Sequence, residues 1–164
     1  MRAPTIVGLT ACLALLATGA SAATVNANLT VLATVVDSCG VTDATLSFGT
    51  VSPTNGTLLP ASGSINVTCS LGTAFSVGLG DGLSASSGAR RMRKAATSDY
   101  LSYQLYKDAL GVGRFGDATT SERASGLLGL GLVATPVAVF GSVPSGQAAP
   151  SGAYTDTVQI TVYY

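Results

Sequence analysis

The chain has no histidine and no tryptophan among its 164 residues, a single glutamate at Glu122, and only 10% charged residues. Without histidine, neither a Ser-His-Asp nor a Cys-His catalytic arrangement can be built, and the cysteines alone make a poor zinc site. The aspartates are scattered, and none falls in the spacing of a calcium loop. Asp81, Asp99, Asp108 and Asp117 read as solvated turn residues rather than as the carboxylate pair of a glycosidase. Gly126, Gly129 and Gly131 lack the order of a phosphate loop, and no lysine follows them. The sequence therefore predicts no catalytic residue, no metal ligand and no cofactor. Basic and acidic residues balance at 8 each, which removes any global electrostatic case for binding nucleic acid. A charged fraction of 10%, against about a quarter in ordinary soluble domains, points to a surface partly covered by partners.

The first residues have the form of a secretory signal. Arg2 supplies a positive charge, Ile6 to Leu16 is an apolar run broken only by Gly8 and Thr10, and Ala20-Ser21-Ala22 offers small residues for cleavage. The apolar stretch is too short to cross a bilayer comfortably. Cleavage after Ala22 leaves 142 residues (164 minus 22) and a net charge of −1 (7 basic minus 8 acidic). It also removes Cys12, so Cys39 and Cys69 remain and are expected to form one disulfide in an oxidising compartment.

Beyond the signal, strand patterns dominate. From Thr24 to Val36, apolar Val25, Ala27, Leu29, Val31, Ala33 and Val35 recur at every second position, with Leu32 out of phase. Further strands are expected over Ala44–Val51, Ser64–Cys69, Thr73–Gly80, Ser87–Ala96, Tyr100–Lys107, Leu128–Ala134, Pro136–Val143 and Tyr154–Tyr164. Ser64–Cys69 and Thr73–Gly80 look like a hairpin turning at Leu71-Gly72, and Leu101, Tyr103 and Leu105 share one face. In the last segment Val158, Ile160 and Val162 face one way, with Tyr154 placed to serve as a tyrosine corner. The only charge cluster, Arg90, Arg91, Arg93 and Lys94, reads as a solvated hairpin that blunts a sheet edge. Short strands separated by Gly, Pro, Asn and Ser predict a single all-β antiparallel sandwich. If the first alternating segment belongs elsewhere, an immunoglobulin-like sandwich built from the remainder is one strand short and exposes an apolar groove beside an unpaired edge.

Several segments together resemble the spore coat U domain family, which includes the archaic chaperone–usher pilins. They are Val139-Phe140-Gly141, Gly146-Gln147 and Gly152-Ala153-Tyr154-Thr155-Asp156-Thr157-Val158 through Val162-Tyr163-Tyr164. Leu46-Ser47-Phe48-Gly49, Ile65-Asn66-Val67-Thr68-Cys69 and Leu101-Ser102-Tyr103-Gln104-Leu105-Tyr106 look like the family's inner strands. The resemblance implies an incomplete immunoglobulin-like sandwich (residues 36–164) preceded by a donor-strand extension (residues 23–35). It implies an acceptor groove bordered by Val158, Ile160 and Val162. It implies a periplasmic chaperone, an outer-membrane usher and neighbouring pilin subunits as partners, and export to the cell surface as a structural, non-enzymatic pilus subunit supporting adhesion and biofilm formation. A spore-coat or envelope protein of the same fold, or a secreted adhesin, are the rival expectations.

Overall fold

In a computed structural model the described residues are 23–55 and 60–164. The signal expected over residues 1–22, with Cys12, lies outside them. The chain divides into two units, one ending at Thr34 and one running from Val35 to Tyr164. In the first, residues 23–34 are exposed and carry no regular secondary structure. The alternation that predicts a strand is present, but among the described residues no strand pairs with it.

The second unit is antiparallel throughout. Its strands are β1 (Cys39–Val41), β2 (Ala61–Cys69), β3 (Ala74–Leu79), β4 (Arg91–Lys94), β5 (Tyr100–Ser102), β6 (Gln104–Tyr106), β7 (Ala124–Leu128), β8 (Thr135–Ser142), β9 (Tyr154–Thr155) and β10 (Ile160–Tyr163). They form three sheets, ordered β1-β2-β8-β6, β10-β3-β7 and β5-β4-β9. Period-two alternation directs Ile65, Val67 and Cys69 of β2 and Val137 and Val139 of β8 inward from the first sheet. Phe75, Val77 and Leu79 of β3 face the same core from the second, and Met92 and Leu101 from the third.

Several strand expectations are corrected. Ser64–Cys69 and Thr73–Gly80 do not pair. The Ser70–Thr73 turn carries the chain from one sheet to another, so β2 bonds to β1 and β8 while β3 bonds to β10 and β7. A hairpin and a corner between sheets show the same alternation, and only partners elsewhere in the chain distinguish them. Ala44–Val51 is not a strand. It lies over the first sheet by its side chains, with Leu46 and Phe48 half-buried. Gly63 and Gly141 make room for it, since a Cβ on Gly141 would stand 2.8 Å from Leu46 Cδ2 and 2.9 Å from Phe48 Cε1.

Leu128–Ala134 is mostly a turn closed by a Leu130–Val133 bridge, and the strand lies earlier, at Ala124–Leu128. Tyr100–Lys107 splits at Tyr103 into β5 and β6, which belong to different sheets. Leu101, Tyr103 and Leu105 are nonetheless all buried, as their alternation predicts. Tyr154–Tyr164 likewise divides, with β9 on β4 and β10 on β3. Within Ser87–Ala96 only Arg91–Lys94 is a strand, and Arg90 is completely buried rather than solvated.

Candidate functional site: an open sheet edge and a disulfide-clamped pole

Cys39 and Cys69 face each other in the β1–β2 register with their Cα atoms 4.0 Å apart, and they are bonded. The chain just before β1 is fixed to the same place. Ser70 N donates to Ser38 O at 2.9 Å, and Thr73 Oγ1 donates to an Asp37 carboxylate oxygen at 2.7 Å. Asp37, Ser38 and Cys39 are thus held to the sandwich by side-chain, backbone and covalent links in turn.

The C-terminal segment forms the other side of the candidate site. β10 bonds to β3 along one edge, with Ile160 opposite Leu79 and Tyr163 opposite Ser76. Its other edge pairs with no strand among the described residues. Cα atoms of β1 and β10 come within 8 Å of each other, yet no ladder joins the two strands. Val158, Ile160 and Val162 all turn toward the core but stay half-buried, as do Leu46, Phe48 and Val51. Val158 precedes β10 rather than lying within it. An unpaired edge backed by half-covered apolar side chains is a template for another strand.

Polar contacts hold this segment in position. Tyr163 Oη donates to Asp117 at 2.9 Å, Arg123 Nε donates to the same carboxylate at 2.7 Å, and the Arg123 guanidinium lies 3.7 Å from the centre of the Tyr163 ring. The hydrogen bond to Asp117, then desolvation, push the Tyr163 phenol upward in pKa. Tyr154 Oη donates to Pro150 O at 2.7 Å, the backward link to the backbone that a tyrosine corner makes.

Sequence reasoning missed the buried polar centre behind β10. Arg90 Nε donates to Gly80 O at 3.0 Å, and its Nη2 donates to Leu79 O at 2.7 Å and Gly80 O at 2.6 Å. Burial, then the like charge of Arg114, lower its pKa. Arg114 in turn pairs with Asp81 and Glu122. Tyr103 Oη donates to Asp156 at 2.7 Å, and burial followed by that bond pushes the phenol well above its usual range. Each of these bonds ties one segment of the sandwich to another. Nothing in a cluster of four basic residues over positions 90–94 marks one of them as a core residue. Among the described residues no group of three metal-ligating side chains comes together, and no helix is long and apolar enough to cross a membrane.

Residues 25–161 match the family model of the Spore Coat Protein U domain. The chain belongs to the spore coat protein U domain family. A curated relative, Protein U of Myxococcus xanthus, is 42% identical over 160 residues, covering 88% of each chain. A solved structure is similar at 26% identity with a TM-score of 0.59: the CsuC–CsuE chaperone–tip adhesion subunit pre-assembly complex from archaic chaperone–usher Csu pili of Acinetobacter baumannii. That match covers 80% of this chain, which spans 40% of the chain it matches. The spore coat U domain chain is accordingly an all-β, antiparallel protein with the chaperone–usher pilin fold. Family and fold are those of structural proteins of pili and coats, extracellular surface structures, and not of enzymes.

Proposed function

We propose that this chain is a pilus subunit that polymerises by donor-strand exchange, with residues 23–35 as the donor and the open edge of β10 as the acceptor. The observation that carries the reading is that edge, backed by half-buried Val158, Ile160 and Val162. The extension supplies matching chemistry. Val25, Leu29, Val31 and Val35 stand 79–94% exposed, with polar residues at most of the alternate positions. Burying those four side chains at about 1.5–3 kcal/mol each gives roughly 6–12 kcal/mol before ordering costs. Twelve residues at about 3.3 Å each span roughly 40 Å, enough to run the length of a groove. Ala27 and Ala33 complete the inserting face.

The same reading assigns a signal peptide to residues 1–22, so exported protein should begin at Ala23 by mass spectrometry. It also assigns a periplasmic chaperone that lends a strand to the groove before assembly, an outer-membrane usher that exchanges it, and neighbouring subunits as final partners. Surface attachment and biofilm formation would be the outcome. The deciding experiment deletes Thr24 to Val31. The shortened protein should remain soluble with its chaperone and form no fibres, and fibres of normal length would refute the donor role. The likeness to Protein U over 88% of both chains supports a second reading, a coat protein of the same fold. Genes for a chaperone and an usher beside this one would favour the pilus.

A further inference from the structure

One end of the sandwich has an apolar surface that the groove does not use. The corner at Ser70–Thr73 and the turn that follows β7 are locked together by three backbone bonds. Gly72 N donates to Gly129 O at 2.9 Å, Gly129 N to Thr73 O at 2.8 Å, and Gly131 N to Cys69 O at 3.1 Å. A Cβ at Gly129 would collide with the Ser70 carbonyl, so the close approach depends on glycine. This rigid pair of turns holds Leu71 at 81% exposure, Leu132 fully exposed, and Val133 and Leu130 at least half exposed. A Cβ at Gly131 would stand 3.7 Å from the Leu71 Cβ, so Leu71 lies against the turn that carries Leu130, Leu132 and Val133. No charged residue occurs from position 44 to 80 or from 124 to 155, so neither turn carries any charge. Isolated exposed leucines are ordinary, but a rigid cluster on an uncharged surface marks a protein contact.

The position of the cluster identifies what covers it. The extension leaves the sandwich at this same pole, where Ser70 Oγ donates to Val36 O at 3.4 Å and Ser70 N holds Ser38 O. If Val35 is the last residue docked in a neighbour, the three steps from Val35 to Ser38 reach about 10 Å at most. The molecule that receives the extension must then lie against this pole. We infer that Leu71, Leu130, Leu132 and Val133 form a second, body-to-body contact with the next copy of this chain in the fibre. The inference rests on the donor-strand reading and adds to it. The inserted strand provides the permanent link, and the leucine pole sets the angle between successive subunits. The contact is head-to-tail and non-closing, so it repeats along the fibre.

The test uses the full chain expressed in its own host. A photo-crosslinking residue at position 132 should yield a ladder of covalent multimers of this chain. The double variant L71D/L132D, altered only at exposed positions, should stay folded and disulfide-bonded while fibre yield falls at least tenfold. Abundant fibres without crosslinks at position 132, together with native yield from L71D/L132D, would overturn the leucine contact and leave donor-strand exchange standing. Crosslinks only to a chain of different mass would overturn it as well, by naming another protein as the occupant. A native chain that never assembles in its host would overturn both readings.

Discussion

Removing the Arg90 guanidinium tests whether a buried cation stabilises this sandwich or burdens it. Arg90 is 0% exposed and caps the end of β3 by donating to the carbonyls of Leu79 and Gly80. Two effects compete in Arg90→Met. A buried carbonyl at Leu79 and a part-buried one at Gly80 lose their donor, at about 1–3 kcal/mol each. Against that, a cation whose pKa is already lowered by burial and by Arg114 no longer has to be desolvated, which returns a few kcal/mol. Because both carbonyls end a strand that β10 depends on, the lost acceptors should win, giving a net destabilisation of about 2 kcal/mol. Arg90→Ala adds a cavity and should reach about 4 kcal/mol. Urea unfolding followed by circular dichroism measures both, and thermal melts should drop by about 6–8 °C for Arg90→Met. Hydrogen exchange provides a local readout. Gly80 N donates to Gln159 O beside Ile160, so its amide should exchange faster in either variant. An Arg90→Met protein as stable as the native one, with unchanged exchange at Gly80, would refute the claim that Arg90 clamps this strand end.

Three further outcomes follow from the same contacts. Cys39→Ser opens a crosslink between residues 30 apart in sequence and should lower stability by about 3–4 kcal/mol in the chain-entropy model. Reducing the native protein should reproduce the effect, and a urea midpoint unmoved by either treatment would contradict it. Tyr103 has its pKa raised by burial and by its bond to Asp156. The neutral phenol therefore contributes fully below its unfolded value near 10, and the contribution is lost as pH rises through the higher folded value. Tyr103→Phe should cost about 1 kcal/mol at pH 7 and flatten the decline in stability above pH 10. An identical alkaline decline in the variant would exclude Tyr103 as its source. Ile160→Asp should destabilise the free chain moderately, since the side chain is half-buried against the core, so the comparison uses Ile160→Thr, matched for its place in the strand, beside it. Facing an inserted strand, Ile160→Asp would bury an unpaired charge, at several kcal/mol. Pull-down with the chaperone should lose Ile160→Asp relative to Ile160→Thr, and normal capture would remove β10 from the acceptor site.

What the sequence revealed depended on whether the signal was local. Ile65, Val67, Val137 and Val139 alternate within one strand, and their burial was readable from spacing alone. The Cys39–Cys69 bond followed from counting the cysteines left after a signal peptide. The sheet assignment of each strand was not readable. The partners of β2 and β3 are fixed by residues 135–142, 124–128 and 160–163, far from the Leu71-Gly72 corner that resembles a hairpin turn. Arg90 escaped for a similar reason. Its acceptors are main-chain carbonyls, which every residue possesses, so no side chain elsewhere in the sequence advertises the pairing. Leu46 and Phe48 kept the inward spacing of a strand without its ladder, because glycines at 63 and 141 admit their side chains while no strand among the described residues pairs with them.

The residues of the proposed donor and acceptor stand out in the sequence by their alternation, and in the structure that alternation is left unsatisfied. Alternation over Val25, Ala27, Leu29, Val31, Ala33 and Val35 prescribes a strand with one apolar edge, and the structure leaves the larger of these side chains exposed. Val158, Ile160 and Val162 prescribe a covered face, and the structure covers it only halfway. A period-two pattern has no energetic meaning for an isolated strand, since the stabilisation comes from pairing and from burial of one face. Two unsatisfied patterns in one chain are therefore a deficit of equal kind on both sides, one lacking a sheet and the other lacking a strand. A chain with 10% charged residues has little surface charge to keep such an edge soluble indefinitely. On the donor-strand reading proposed above, each deficit would be met by its counterpart in a second molecule, and the open edge of β10 would be the place where assembly occurs.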